Sequence, residues 1–140
     1  MAEAASIRVA TRADIPTVLA VWARAGAHGA IPDTSAALEA LLAWDEDALL
    51  LAELDGEVVG TLIAAWDGWR GNMYRLAVLP EQRRRGVALR LIAAAHERLR
   101  RNQARRVTAL VRHQDAGAAA VWSVGGYERD EEVSRLVRKL

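Results

Sequence analysis

The sequence predicts a mixed α/β fold in which helices cover a central sheet, with elements in the order β-α-α-β-β-β-α-β-α-β. Residues 48–78 are mostly apolar runs separated by turns that contain glycine, which indicates consecutive hairpin strands. Apolar residues recur with helical spacing on both sides of that stretch, and after Gly86 a helical segment connects two strands, as in a β-α-β crossover. A chain of 140 residues, 52% of them hydrophobic, can bury one core, so we expect a single domain over residues 1–140.

The first third of the chain is predicted to hold one strand and two helices. Residues 7–10 (Ile-Arg-Val-Ala) form a short strand. Thr11 and Asp14 then have the spacing of a capping box, and they begin a helix that runs to about Gly26. Residues 33–35 (Asp-Thr-Ser) supply a second cap, and the leucines that follow at helical spacing indicate a second helix.

Three strands follow in sequence, over residues 48–54, 58–66 and 72–78. Asp55-Gly56 between the first two strands is a strong signal for a two-residue hairpin turn, and Asp67-Gly68 marks the next turn. Because hairpin turns join neighbouring strands that run in opposite directions, we expect these strands to be antiparallel.

The last third of the chain returns to helical spacing. From Gly86 a helix carries apolar residues on one face and arginines elsewhere on its surface. We expect a strand over residues 107–111, a short helix over residues 116–124 that ends at two glycines, and a final strand over residues 133–140.

Composition excludes several classes of protein. The chain has no cysteine, which removes disulfides, thiolate catalysis and cysteine-bound metal clusters. Its three histidines, at positions 28, 96 and 113, lack metal-ligand spacing, so no metal site is expected. No apolar run approaches the roughly 20 residues of a membrane span, and the first ten residues lack a secretory apolar region. A cytoplasmic protein without a membrane partner is the expectation.

Charge is distributed unevenly along the chain, although the net charge is only +1. Residues 1–70 contain 4 arginines and 11 acidic residues, a net charge of −7, while residues 71–140 contain 15 basic and 7 acidic residues, a net charge of +8. Between residues 83 and 112 ten arginines stand against the single carboxylate of Glu97. This polarity predicts either an anionic partner for the second half of the chain or a solvated basic face on a helix.

Residues 78–88 (Val-Leu-Pro-Glu-Gln-Arg-Arg-Arg-Gly-Val-Ala) join a strand to the amphipathic helix. Pro80 ends the strand because it has no N–H for the ladder, and Gly86 allows the backbone to approach a ligand closely. The unpaired N–H groups of the first helical turn favour an anion, and three adjacent arginines add positive charge. The segment therefore predicts a phosphate site, although it has neither the Lys-Ser/Thr of a Walker loop nor the glycines of a dinucleotide fingerprint.

The same segment resembles the acetyl-CoA-binding segment of the GNAT superfamily of N-acetyltransferases, whose signature has the form V-x-P-x-x-[QR]-x-x-G-x-[GA]. Every fixed position matches: Val78, Pro80, Arg83, Gly86 and Ala88. The order of the other elements follows that of the family over nearly the whole chain, and the size is typical of the small bacterial single-domain type. The resemblance implies a GNAT-like mixed sheet of about six to seven strands with four helices, acetyl-CoA as the acyl donor and no metal.

The resemblance also implies which residues hold acetyl-CoA. The backbone of Leu76, Ala77 and Val78 would bind the pantetheine arm, and one of these amides would polarise the thioester carbonyl, as an oxyanion hole does. The turn would wrap the pyrophosphate mainly with main-chain N–H groups, from Arg83, Arg84, Arg85, Gly86, Val87 and Ala88. Asp115 stands where the family usually has an Asn that contacts the cofactor arm.

The catalytic groups depart from the family pattern. Many members have a Tyr that protonates the departing thiolate, and Trp122 stands at that position; its indole N–H donates a hydrogen bond but has no usable acidity. The two positions at which other branches carry a glutamate base hold Tyr74 and Leu110. Tyr74, His113 and Asp115 are the remaining candidates for an acid or a base, with solvent as the alternative source of the deprotonated amine. We expect Tyr74 to be the side chain involved.

Two segments are candidates for contact with the acceptor. The loop of residues 67–71 (Asp-Gly-Trp-Arg-Gly) is expected beside the cleft, where Arg70 would grip a carboxylate or Asp67 an ammonium group, unless the pair only forms a turn. The second is the stretch of residues 26–32 between the first two helices, with Trp22 and His28, where the family usually builds its acceptor wall.

The prediction is an acyl-CoA-dependent N-acetyltransferase that moves acetyl from acetyl-CoA to a primary amine by direct attack in a ternary complex. The acceptor is a small molecule or a protein N-terminus, and a homodimer is a further expected partner because the family often dimerises. One alternative is a catalytically weak CoA-binding sensor or regulator of the same fold, which Trp122 favours. Another is a small nucleic-acid-binding domain, which is disfavoured because the arginine stretch has no interleaved aromatic residue and the first half of the chain is acidic.

Overall fold

Five strands lie side by side in the order β1-β2-β3-β4-β5 in a computed structural model that describes residues 4–27, 31–113 and 115–140. The strands are β1 (Ser6–Val9), β2 (Leu49–Leu54), β3 (Glu57–Trp66), β4 (Gly71–Val78) and β5 (Val107–Ala109). Neighbouring strands are antiparallel except β4 and β5, which are parallel. The two predicted hairpins are therefore confirmed. Asp55 and Gly56, in the first hairpin turn, have φ angles of 53° and 78°, as a type I′ turn requires.

The described residues contain four α-helices, as predicted: α1 (Ile15–Ala25), α2 (Ser35–Trp44), α3 (Val87–Arg101) and α4 (Ala116–Val124). The predicted caps are present. The N–H of Thr11 donates to Asp14 at 2.7 Å ahead of α1, and Thr34 Oγ1 accepts from the N–H of Ala37 at 3.1 Å in the first turn of α2. Gly26 ends α1 in the left-handed conformation.

Helices α1 and α3 cover opposite faces of the sheet. Successive residues of a strand point to opposite faces, and the adjacent residues Gly60 and Thr61 of β3 show which helix lies on each face. A Cβ at Gly60 would lie 3.1 Å from the side chains of Val87 and Leu91 in α3, whereas the Thr61 hydroxyl meets Trp22 of α1. Because both faces are covered, β2 and β3 are almost continuously apolar instead of alternating.

Over the residues that the structure describes, the sheet has five strands, not the six to seven that we expected. The predicted final strand over residues 133–140 is wrong, since those residues form neither helix nor strand. Their apolar members stand at positions 133, 136, 137 and 140, so they do not recur at every second residue and would not share one face of a strand. The strand predicted over residues 107–111 is also shorter and ends at Ala109.

The chain divides into two compact units, Met1–Leu110 and Val111–Leu140. The first unit contains the whole sheet with α1, α2 and α3, and the second contains α4 and the C-terminal segment. Among the described residues no helix is both long and apolar enough to cross a bilayer. The same residues bring together no group of three or more side chains that would ligate a metal.

Candidate active site

The edge of β4 that faces β5 is open over its second half. The two strands pair where Gly71–Met73 lie beside Val107–Ala109, whereas β4 continues to Val78. Within the described chain, the main-chain groups of residues 74–78 that point to this side have no strand partner. The edge is open because β5 ends at Ala109. We call this step in the edge of the sheet the wedge: its closed end is the paired part that begins at Gly71, and its open end is the unpaired edge of residues 74–78.

An inserted residue bends β4 beside this open edge. The register with β3 shifts between Tyr74 and Ala77, so Leu62 of β3 faces two residues of β4, Arg75 and Leu76. Arg75 has a φ of 56°, in the left-handed region that glycine usually occupies at a bulge of this kind. The strand therefore has a strained residue at the start of its open half.

Two hydrogen bonds show that the bulge reverses the direction of the N–H groups along β4. In a regular strand, residues an even number apart point their N–H groups to the same side. The N–H of Gly71 donates toward β5, to the carbonyl of Arg106 at 3.0 Å. The N–H of Leu79, eight residues later, donates to the carbonyl of Val59 beside β3 at 2.9 Å. The inserted residue accounts for the reversal.

The bulge determines to which side of β4 the main-chain groups of Leu76, Ala77 and Val78, the three residues predicted to hold the cofactor arm, are directed. Ala77 pairs with Thr61, and its carbonyl oxygen would lie 3.2 Å from a Cβ at Gly60, so the main chain of Ala77 faces β3. By alternation, the N–H groups of Leu76 and Val78 face the open edge. Two N–H groups on one free edge can bind an extended ligand in the way that an added strand binds.

The turn from β4 to α3 has main-chain N–H groups without acceptors. It begins with a 3₁₀ turn at Pro80–Gln82, and the described structure gives no acceptor to the N–H groups of residues 84–89. Gly86 precedes α3 with a φ of 76°, a conformation that favours glycine, and a Cβ there would meet no atom within 4 Å. Glycine is thus required for its backbone angle, and open space lies in front of it. Free N–H groups at a helix N-terminus form an anion site.

The three arginines of this turn have different surroundings. Arg84 and Arg85 are exposed, and the described residues offer neither guanidinium a partner. Arg83 instead donates from Nε to the carbonyl of Val78 and from Nη2 to the carbonyl of Ala25, both at 3.2 Å. The side chain of Arg83 therefore ties the turn to β4 and α1, and Arg84 and Arg85 carry the positive charge that a ligand can reach.

Two more arginines of the basic stretch also stabilise the fold. Arg90 Nε donates to the carbonyl of Ala5 at 2.6 Å. Arg98 is only 7% exposed; its Nε donates to the carbonyl of Ala64 at 3.1 Å, and its guanidinium pairs with Asp45. Part of the positive charge that predicted an anionic partner therefore has an internal role.

Behind the bulge lies a chain of buried hydrogen bonds that the sequence pattern did not indicate. Trp22 Nε1 donates to Thr61 Oγ1 at 2.8 Å, and Thr61 Oγ1 donates to the carbonyl of Arg75 at 3.0 Å. Trp22 is 3% exposed and Thr61 is fully buried. The Arg75 guanidinium pairs with Asp33 at 2.8 Å and lies over the Trp22 ring, 5.5 Å from its centroid. A lone threonine in the apolar run of β3 was the available signal in the sequence.

Tyr74, the predicted acid or base, lies on β4 immediately before the bulge and is 42% exposed. Its phenol can meet solvent or a substrate, and its role stays a prediction. Trp22, which we expected beside the acceptor, is buried with its N–H bonded to Thr61, so it stands behind the protein surface. His28 lies outside the described residues.

The loop of residues 67–70 lies away from the open edge of β4, and its contact with the acceptor stays a prediction. It adjoins Gly71, at the closed end of the wedge, and a rise of about 3.3 Å per residue puts it roughly 20 Å from Val78. The N–H groups of Arg70 and Trp69 donate to Asp67 Oδ1 at 2.6 and 2.8 Å, and these hydrogen bonds hold the pKa of Asp67 below its ordinary value. The Arg70 guanidinium lies 4.0 Å from the Trp69 ring centroid. Both charged side chains thus support the turn itself.

The other predicted site residues belong to the unit formed by residues 111–140. Asp115 Oδ1 accepts from an N–H in the first turn of α4 at 2.9 Å and so caps that helix. His113 Nδ1 lies 3.2 Å from Arg129 Nη2, and Trp122 meets Tyr127 edge-on with ring centroids 4.8 Å apart. A cofactor contact for Asp115 stays a prediction.

Comparison with known proteins identifies the family. The model of the Acetyltransferase (GNAT) family matches residues 19–126, which include the open edge of β4, the turn after it and α3. The chain belongs to this family. A relative named Acetyltransferase SG1711, from Sodalis glossinidius, is 31% identical over 134 residues, which covers 96% of this chain and 94% of the relative.

Solved GNAT structures have the same fold. Ard1 from Thermoplasma volcanium gives a TM-score of 0.78 at 22% identity, over 89% of this chain and 82% of that one. An aminoglycoside acetyltransferase from an uncultured soil metagenomic sample, in complex with trehalose, gives a TM-score of 0.74 at 19% identity, over 97% and 96% of the two chains. Enzymes with the GNAT fold use acetyl-CoA as a substrate. The predicted family is therefore confirmed, and the protein is an acyl-CoA-dependent acetyltransferase.

Proposed function

We propose that this GNAT protein transfers acetyl from acetyl-CoA to a primary amine, which attacks the thioester directly in a ternary complex. The observation that carries the proposal is the run of N–H groups at residues 84–89, which find no acceptor in the described part of the chain and directly follow a strand with a free edge. A diphosphate needs several donors at one place, and an extended arm needs a strand edge. Here the two features adjoin.

The turn binds the pyrophosphate of acetyl-CoA through main-chain N–H groups, and the exposed guanidinium groups of Arg84 and Arg85 add charge-assisted hydrogen bonds. The arm runs along the free edge of β4. Val78 is nearer the turn, so its N–H meets the pantetheine, and the N–H of Leu76 meets the thioester carbonyl. The donors from the turn are those of Arg84, Arg85, Gly86, Val87 and Ala88.

Attack of the amine nitrogen on the thioester carbon forms the C–N bond and places negative charge on the carbonyl oxygen, which the N–H of Leu76 stabilises. Cleavage of the C–S bond releases CoA as a thiolate. The attacking nitrogen gives up its extra proton to solvent, and the thiolate takes up a proton from solvent, which leaves the amide and CoA thiol. An alkylammonium has a pKa near ~10, so the acceptor must first lose a proton, to solvent or through the exposed phenol of Tyr74. The chain has no cysteine, so the acetyl group does not pass through an enzyme thioester.

The acceptor amine belongs to a small molecule or to a protein N-terminus. The test is to add acetyl-CoA to the purified chain, record the melting temperature, and then measure the release of CoA thiol with a panel of small amines and N-terminal peptides. We expect acetyl-CoA to raise the melting temperature and at least one amine to release thiol. Stabilisation without release across the whole panel would instead favour a CoA-binding sensor, which is the second candidate because Trp122 replaces the usual acid.

Two matched glycines make this test specific for the turn. Gly86 and Gly56 both have positive φ angles, 76° and 78°, and a Cβ at either would meet no atom within 4 Å. Gly86→Glu and Gly56→Glu therefore impose the same backbone strain and the same charge. We expect only Gly86→Glu to abolish the stabilisation by acetyl-CoA, and equal effects of the two would refute our placement of the site.

The role of Tyr74 is tested by the release of CoA thiol. Tyr74→Phe should slow this release about tenfold or more if the phenol carries the proton.

A further inference from the structure

We propose that Thr61 and Trp22 are positioning residues for acetyl transfer: their hydrogen-bonded pair holds the bulge of β4 and so determines which main-chain N–H meets the thioester. The inference rests on the proposed function, because the thioester carbonyl is the group that the positioned N–H contacts. Neither side chain lies at the surface of the wedge, since Thr61 is fully buried and Trp22 is 3% exposed. Both would act on the substrate through the carbonyl of Arg75.

The direction of each hydrogen bond in this pair follows from chemistry alone. An indole N–H can only donate, so Thr61 Oγ1 must accept from Trp22 over 2.8 Å. A carbonyl can only accept, so the Thr61 hydroxyl must give its one proton to Arg75 over 3.0 Å. The indole therefore fixes the orientation of the hydroxyl, and the hydroxyl fixes the position of the Arg75 carbonyl.

Arg75 is a position that needs such support. Its φ of 56° is disfavoured for a residue with a side chain, and a strained residue persists only where its surroundings hold it. The carbonyl of Arg75 is held by Thr61, and the guanidinium is held by Asp33 at 2.8 Å and faces the ring of Trp22. Trp22 thus contacts both the side chain and, through Thr61, the main chain of the bulged residue.

Loss of the bulge would turn the wrong N–H groups toward the substrate. Before the bulge, the N–H of Gly71 points to β5, so a regular strand would direct the odd-numbered N–H groups, including that of Ala77, to the open edge. With the inserted residue, the N–H groups of Leu76 and Val78 point there instead. A variant in which the bulge is held less firmly would therefore misdirect the donor at the thioester, while Arg83 still ties the following turn to α1.

The substitution that tests this is Thr61→Val, which keeps the branched shape and removes the hydroxyl. The readout is the carbonyl stretching band of bound [1-¹³C]acetyl-CoA, recorded by infrared difference spectroscopy, because a donor to the carbonyl lowers its frequency and no acceptor is needed. We expect the wild type to shift this band, and Thr61→Val to lose about half of the shift or more and to slow thiol release about tenfold or more. The Kd of acetyl-CoA should change by less than about threefold, because the pyrophosphate site is untouched.

Three further variants separate positioning from general stability. Thr61→Ser keeps the hydroxyl and should restore both the band and the rate. Trp22→Phe removes the donor at the other end of the pair and should lose part of the shift. Thr108→Val is the same substitution at an exposed position of β5, and it should match the wild type. Melting temperatures recorded for every variant allow each rate to be expressed per folded molecule.

Each outcome decides the inference. The inference would be overturned if the carbonyl band of Thr61→Val were shifted as much as that of the wild type. It would also be overturned if Thr61→Val and Thr61→Ser lost the shift equally, because the hydroxyl would then have no special role. If the wild type binds acetyl-CoA and every variant shows the same band shift as the wild type, the inference alone is overturned and the proposed function stands. Failure of the wild type to bind acetyl-CoA would overturn both.

Discussion

Replacing Gly60 with alanine should push the first turn of α3 away from the sheet and weaken the binding of acetyl-CoA. A Cβ at Gly60 would lie 3.1 Å from Leu91 Cδ1, 3.1 Å from Val87 Cγ1 and 3.2 Å from the carbonyl oxygen of Ala77. The two side chains can move by a few tenths of an ångström, but the carbonyl belongs to the main chain of β4. Strand pairing with β3 holds that main chain in place, so Val87 and Leu91 must make the room, and the first turn of α3 moves with them.

The size of the effect follows from these contacts. Overpacking of this kind costs about 1–3 kcal/mol, and the lower backbone freedom of alanine in the unfolded chain offsets about 0.5–1 kcal/mol. The net loss at the centre of these ranges is about 1 kcal/mol, which corresponds to a melting temperature lower by about 3–5 °C in a chain of this length. Because the displaced turn is the site that we propose for the pyrophosphate, we expect the Kd of acetyl-CoA to rise about three- to tenfold, which is about 0.7–1.4 kcal/mol.

The assay is thermal unfolding followed by circular dichroism, with isothermal titration calorimetry for the Kd, on Gly60→Ala and two control variants. A Cβ at Gly71 would lie 2.8 Å from Leu99 Cδ1 at the closed end of the wedge, so Gly71→Ala should lower the melting temperature but leave the Kd unchanged. Gly117→Ala in α4 has ordinary contacts, 3.6 Å to Asp115 Oδ1, and should stabilise the helix by up to about 1 kcal/mol. Equal Kd values for Gly60→Ala and the wild type would refute the argument, as would an equal rise in Gly71→Ala.

Two further predictions concern the fold that supports the site. Arg98→Met should lower the free energy of unfolding by about 2–3 kcal/mol, because it leaves the carbonyl of Ala64 and the carboxylate of Asp45 without their buried partner. The control Arg101→Met, at an exposed position, should change the melting temperature little. Equal losses in the two variants would contradict this. The Arg8 guanidinium and the N–H of Thr11 hold the pKa of Asp14 far below its ordinary value. The carboxylate therefore stabilises the fold above about pH 4, and this contribution is lost as the pH falls through the folded-state pKa. The difference in melting temperature between the wild type and Asp14→Asn should therefore be constant from pH 6 to 8 and shrink on acidification, and a difference that grew in acid would reverse the sign of the argument.

The elements that could be predicted from the sequence are those specified by neighbouring residues. The Asp55-Gly56 turn, the Thr11 and Thr34 caps and the helix over residues 116–124 each depend on contacts within a few positions of the chain. The turn from β4 to α3 belongs to the same class, because Gly86 and the N–H groups beside it need only the end of a strand and the start of a helix. Local chemistry was sufficient for all of them.

The features that could not be predicted depend on distant contacts. A bulge with a left-handed first residue usually carries glycine there, and Arg75 gives no such signal; the contacts that hold it come from Thr61, 14 positions away, and from Trp22, 39 positions before Thr61. The length of β4 places the loop of residues 67–70 at the closed end of the wedge, which turn chemistry alone does not reveal. The charge pattern could not distinguish arginines that bind an anion from arginines that stabilise the fold. Hydrogen bonds to main-chain carbonyls place Arg83, Arg90 and Arg98 in the second group.

Gly60 and Thr61 together explain how one strand supports both halves of the site. They are consecutive in β3 and point to opposite faces of the sheet, so Gly60 lets the first turn of α3 approach while Thr61 holds the bulge from the side of α1. We propose that the N-terminus of α3 receives the pyrophosphate and that the N–H of Leu76 receives the thioester. These two groups are set by separate contacts with no shared side chain. Weakening one should spare the other: a change at Gly60 acts on affinity for acetyl-CoA, and a change at Thr61 acts on the reactivity of the bound thioester. This division is what a site needs if it is to bind the donor tightly at one end and stabilise the transition state at the other.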